Sequence, residues 1–213
     1  LGKYSAAFQS YLRSATGQLQ PDEDEEWVDA ARLRGKIDHS TAGAQFIWQE
    51  LGRNGNSSQK IAAQILALCV ASHHSGLIDC IAADAAHFGE DTFTKRMQKV
   101  QEKTHLAETL LAADSHIRER CSALLQDPSL ATGIHQLWEH IQRNNAKAHS
   151  TSKQVLLLQF GLVVRFLFSC LIDADRLDSA DFDSLRTKLF RLSGNDAPWP
   201  VLIERLETWL SAR

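Results

Sequence analysis

Three short stretches of this chain concentrate side chains able to hold a divalent cation. In Asp38-His39-Ser40-Thr41-Ala42-Gly43-Ala44 a histidine stands at the mouth of a predicted helix whose small residues permit close packing. Ala71-Ser72-His73-His74-Ser75-Gly76-Leu77 places adjacent histidines at a predicted helix end, because Gly76 stops the pattern directly behind them. Imidazole is the commonest protein ligand for Zn, Fe, Ni and Mn class metals, and two at a chain bend can turn toward one cavity. The third stretch, Leu171-Ile172-Asp173-Ala174-Asp175-Arg176-Leu177-Asp178-Ser179, sends carboxylates out of the end of the most hydrophobic helix. A helix C-terminus disfavours negative charge through its dipole, so these acids imply a compensating cation. Each stretch also has an ordinary reading: a packed histidine, a histidine that caps its helix, or surface acids.

The elements that must position these groups read as helices throughout. Tyr4, Phe8, Tyr11 and Leu12 recur at helical spacing before Gly17 and Pro21. The run Pro21-Asp22-Glu23-Asp24-Glu25-Glu26 repels itself and reads as a solvated surface insertion. Helices are predicted from Ser40 to Leu51 and from Ser57 to Ser72, around the Asn54-Gly55-Asn56 turn. Further helices are predicted at about 91–103, 105–125, 130–144, 151–175, 181–192 and 198–211. No strand alternation or fixed repeat appears, so the fold class is all-α.

Val155 to Ile172 is apolar nearly all round, the pattern of a helix buried on every side. Gln154, Gly161, Arg165, Ser169 and Asp173 are spaced 7, 4, 4 and 4 and form one polar stripe on it. A buried arginine must be paired, so that stripe is expected to face a carboxylate, a polar cavity or a phosphate. The segment could also be a membrane span, but Arg165 at its centre costs about 2.5–3.5 kcal/mol in lipid, which favours a buried helix and no membrane.

Bulk properties exclude little but set bounds. At 213 residues the chain holds one substantial domain. Its net charge of −3 means that any contact with nucleic acid must be local. One local candidate is Lys95, Lys99 and Lys103, every fourth residue on a predicted helix with Arg96 beside them, although such a stripe is more often a solvated face. Cys69, Cys80, Cys121 and Cys170 lack metal-site spacing and suggest a reducing cytoplasm. No Gly-Lys-Ser/Thr phosphate loop occurs, so ATP use does not belong to this piece.

Taken in order, the blocks resemble the HD-type nuclease domain of the type I CRISPR nuclease-helicase. Leu1-Gly2-Lys3 is similar to the tail of the His-Asp-x-Gly-Lys motif, and Lys3-Tyr4-Ser5-Ala6-Ala7-Phe8-Gln9 resembles the segment C-terminal to that motif in the family. The Asp38–Ala44 stretch resembles the third motif and His73-His74-Ser75-Gly76-Leu77 the HH-x-G-L block. Arg165 to Leu177 resembles the last motif.

The resemblance implies an all-α HD bundle around a histidine/aspartate site. Its core would be residues 1–180, with 181–213 closing the domain and leading to a linker. His39, His73 and His74 would bind the second of two divalent metals (Mn, Fe, Ni, Co or Mg) and Asp175 the first. Lys3 would lie near the scissile phosphate, and Ser179 matches a serine of some relatives. Helical spacing alone favours Asp173 over Asp175. The family's earlier histidine and its His-Asp pair would precede Leu1, which leaves the site incomplete as written. The implied activity is cleavage of single-stranded DNA, fed by a helicase domain beyond Arg213 and recruited by an RNA-guided CRISPR surveillance complex. Two other classes stay open: an HD phosphohydrolase of small nucleotides, and a catalytically inactive helical interaction module.

Overall fold

Short polar side chains set where the helices begin. Ser5 accepts a hydrogen bond from the Phe8 N–H, Asp29 from Arg32 N–H and Asp91 from Thr94 N–H. Asn56 and Gln59 form a reciprocal capping box. The computed structural model describes residues 1–147, 152–184, 189 and 199–211. After a 3-10 turn at Gly2–Tyr4 come α1 (Ala6–Ala15), α2 (Ala30–Leu33), α3 (Ser40–Ile47) and α4 (Ser57–Ser72). Next come α5 (Thr92–Met97), α6 (Gln101–Thr104), α7 (Leu106–Ala112), α8 (Ser115–Gln126), α9 (Pro128–Lys147), α10 (Lys153–Asp183) and α11 (Trp199–Ser211). The described residues contain no strand, only an isolated bridge between Ile81 and Asp91, so the all-α expectation holds. The predicted 181–192 helix and the Asp196-Ala197-Pro198 break fall largely outside the described residues.

The chain divides into two units, Leu1–Leu171 and Ile172–Arg213. In the first, α3 and α4 form the centre. Ala42 and Phe46 of α3 join Ala62 and Ala63 of α4, Leu106 and Leu125 in one buried cluster. Ala44 joins Ala67, Leu68, Ala71, Phe93 and Met97 in another. Alanines at this junction let the helices approach closely, and a Cβ on Gly43 would stand 3.1 Å from the Val70 side chain. The chain start is tied in by Glu108 of α7, which accepts from the Ala6 N–H, and by Tyr4, whose hydroxyl donates to Asp114.

The predicted 105–125 helix is two, α7 and α8, parted at Ala113-Asp114, and two further expectations are corrected. Residues 91–103 do not form one helix: α5 stops at Met97 and α6 starts at Gln101. The buried Gln45 amide donates to the Met97 and Lys99 carbonyls at 3.0 and 2.8 Å, engaging the acceptors that a continuing helix needs. Lys95, Lys99 and Lys103 therefore sit on α5, a turn and α6.

The second correction concerns α10, which is not buried on every side. Val164 packs on the core and Phe160 meets Trp138 of α9 edge-on, yet Leu157, Leu158, Leu162 and Phe166 are exposed. Arg165, Ser169 and Asp173 are exposed too, so the polar stripe is not buried. Lys153–Asp181 is long and apolar enough to cross a membrane by length and composition, with none of its most apolar window buried. In the second unit, Leu202, Leu206, Trp209 and Leu210 of α11 are exposed.

These packing differences are measurable. Phe46→Ala should lower stability by about 3–5 kcal/mol in urea unfolding, because it empties a filled core position. Phe166→Ala, 67% exposed, should change it by no more than about 0.5 kcal/mol.

Candidate metal centre

The start of α3 and the end of α4 bring the three histidines together. Asp38 acts as the cap of α3, accepting from the Thr41 N–H at 3.0 Å and the Thr41 hydroxyl at 2.7 Å. This fixes the backbone that carries His39, the next residue. At the other end, α4 stops at Ser72, His73 is its C-cap and Gly76 turns the chain at φ +80°. Ser40 links the two elements by donating to the Ala71 carbonyl at 3.3 Å.

Ligand-type atoms of His39, His73 and His74 all lie within 4.8 Å of one another, a grouping that could hold a metal ion. The protein also orients two of the rings. His39 Nδ1 lies 3.3 Å from the Ile37 carbonyl, and His73 Nδ1 lies 2.6 Å from the Val70 carbonyl. A carbonyl can only accept, so each Nδ1 carries the hydrogen and each Nε2 keeps a free lone pair. His39 Nε2 and His74 Nε2 are 2.7 Å apart. With the His39 nitrogen bare, His74 supplies the hydrogen of that bond, and a cation held between them must displace it.

Gly2 reveals how tightly His39 is held. A Cβ on this buried glycine would fall 1.7 Å from the His39 carbonyl oxygen, so no side chain fits there. Phe8 of α1 covers the imidazole itself, with ring centroids 4.6 Å apart. Burial, reinforced by the neighbouring His74, lowers the His39 pKa to about 4, which keeps the ring neutral and able to ligate at ordinary pH.

Around Asp38 lies a second network. Lys99 donates to its carboxylate at 2.9 Å, while Arg96 donates to the Thr41 hydroxyl at 3.0 Å and the Ser40 hydroxyl at 3.1 Å. Burial pushes the Asp38 carboxyl up, but the hydrogen bonds from Lys99 and Thr41 outweigh it and hold the pKa at about 2. Arg96 and Lys99 thus brace the start of α3, and Lys95 pairs with Glu90. Lys103 is exposed on α6.

A cavity of about 760 Å³ opens beside His39 and His74. Lys3, Arg34, Lys36 and Arg96 line it with a single acid, Asp38, so its wall is cationic in a chain of net charge −3. Lys3 lines the same cavity as His39 and His74. Arg34, Lys36, Phe8 and Tyr11 were not legible as site residues: the cations sit in a short loop without helical period, and the aromatics read as a core stripe. Of the carboxylates on α10, Asp175 is half-buried and Asp173 exposed; both belong to the second unit, as does the exposed Ser179. Arg165 lies on the exposed side of α10 in the first.

No protein-family model matches the chain, and it matches neither a curated protein nor a solved structure. The family resemblance rests on the motif blocks themselves.

Two pH windows arise from the shifted groups. A depressed histidine stabilises fully above its ordinary pKa of 6.5, and that stability fades as pH falls toward about 4. Asp38 contributes above about 3.8, roughly 2 kcal/mol, lost as pH falls through about 2. Unfolding free energies across pH should show wild type losing stability relative to His39→Gln as pH falls from about 6.5 toward 4, and the deficit of Asp38→Asn shrinking as pH falls from about 3.8 through about 2.

Proposed function

We propose that this chain belongs to an HD-type metal-dependent phosphodiesterase module, a nuclease that cuts single-stranded DNA in RNA-guided CRISPR defence. The observation that carries the reading is the meeting of His39, His73 and His74, from two separated motif blocks, at the edge of a cation-lined cavity. Imidazoles fixed through Nδ1, as His39 and His73 are, suit a transition-metal site, and three histidine ligands would leave coordination positions for substrate and water. Histidine donors suit Mn, Fe, Ni or Co better than an all-oxygen Mg site does.

A bound divalent ion would polarise a phosphodiester and lower the pKa of a water at neutral pH. The chain's own groups do the rest. Lys3, on the wall of the same cavity, would attract a phosphate to the mouth of the histidine cluster. Neutral His39 stays a ligand across the physiological range. Because the chain as a whole is acidic, this attraction is confined to the cavity and weakens steeply with salt.

Asp175 is the proposed ligand of a further ion, with Asp173 as second choice and Ser179 nearby. A C-terminal helicase domain and the surveillance complex are the proposed partners.

Calorimetric titration with Mn²⁺ or Ni²⁺ tests the site. The chain should bind, and His39→Ala or His73→Ala should weaken binding at least about 10-fold. The full-length protein should cut single-stranded DNA when Mn²⁺ is added. Turnover of nucleotides without DNA cutting points instead to a small-nucleotide phosphohydrolase. Failure to bind metal at all favours the inactive interaction module.

A further inference from the structure

The cavity beside the histidines holds more than a phosphate site requires. Phe8 and Tyr11 are three residues apart on α1, so they share a face, and both line the cavity. Phe8 is engaged with His39, whereas Tyr11, half-buried, touches it only through a tilted contact to Phe8 at 5.8 Å between centroids. The remaining cations come from the loop after α2. Arg34 and Lys36 flank Gly35, whose φ of +73° turns the backbone in the left-handed sense while both neighbours line the cavity. Neither pairs with a carboxylate among the described residues, and Asp38, the cavity's one acid, is already bonded to Lys99 and Thr41.

We infer that Tyr11, Arg34 and Lys36 form a nucleotide subsite next to the histidine cluster: the two cations hold backbone phosphates and the tyrosine ring stacks on an unpaired base. A site for bare phosphate has no use for a half-exposed aromatic ring, and a paired duplex offers no free base face to stack on it. Cations alternating with aromatic surface are the chemistry by which single strands are gripped without reading sequence. The cavity volume of about 760 Å³ is ample for a nucleotide unit. This inference rests on the nuclease reading only for the orientation of the strand, since the subsite's residues are separate from the metal-ligating ones.

Fluorescence anisotropy of the full chain with chelator present tests it without any metal. The probes are a short labelled oligothymidylate, an abasic deoxyribose-phosphate oligomer of the same length, and inorganic polyphosphate. Wild type should bind the oligothymidylate roughly 5- to 100-fold more tightly than the abasic oligomer. Tyr11→Leu, which keeps an apolar side chain but removes the ring, should erase that preference, while Tyr11→Phe should retain it. Arg34→Ala and Lys36→Ala should weaken both oligomers alike and reduce the dependence of affinity on salt. Equal wild-type affinity for thymidylate, abasic oligomer and polyphosphate overturns the subsite, as does an unaltered preference in Tyr11→Leu. Base-dependent binding without any Mn²⁺-dependent cleavage leaves the subsite standing and removes the nuclease reading. Cleavage with no base preference does the reverse.

Discussion

The constraint on which the site depends is the close seating of the start of α3 on the end of α4. Ser40, Thr41, Ala42 and Ala44 are buried at this junction, and Ser40 reaches the Ala71 carbonyl across it. Small residues are needed where α3 meets α4, as at Gly43, where even a Cβ would stand 3.1 Å from the Val70 side chain. His39 is the last residue before α3, and His73 and His74 are the first after α4. A shift of about 1 Å between the helices would therefore pull the imidazoles out of a common reach, the usual way in which loosely supported sites lose function. Gly2 extends the same logic to the chain start, since it lies against the His39 carbonyl where no Cβ fits.

Polar groups secure what packing brings together. Asp38 is a cap, an ion-pair acceptor and the residue adjoining His39, so one carboxylate links helix start, cation network and candidate ligand. Arg96 reaches the same two residues of α3 that Asp38 bonds, which ties α5 to the site. A half-buried acid bonded this fully is costly to disturb, because losing one partner leaves the others desolvated and unmatched. The cationic cavity then has a clear electrostatic division. Lys99 and Arg96 are committed to the protein, whereas Arg34 and Lys36 face the space a ligand would fill.

Much of this was legible in the residues. The all-α class, the span of α4 and the placement of His73 at its end are dictated by hydrophobic period and by Gly76. The small residues after His39 announced the close helix contact. Less was legible wherever tertiary contacts override local pattern. Gln45 breaks the 91–103 helix from more than fifty positions away, a contact no window of sequence contains. The apolar circumference of α10 suggested burial, yet hydrophobicity records only what a helix could bury, not which surfaces the chain supplies to cover it. The cavity's cations were not legible for a related reason: periodicity draws the eye to helical lysines, while Arg34 and Lys36 sit in a turn.

The central claim is that His39, His73 and His74 act together as ligands through Nε2. X-ray absorption of the zinc-loaded chain tests it directly. The account predicts a shell of nitrogen scatterers at roughly 2.0–2.1 Å, with the outer-shell multiple scattering of imidazole rings fitted by three histidines. That signal should drop by one ring in His73→Ala. A shell of oxygen atoms without imidazole scattering, unchanged by the substitution, would contradict it.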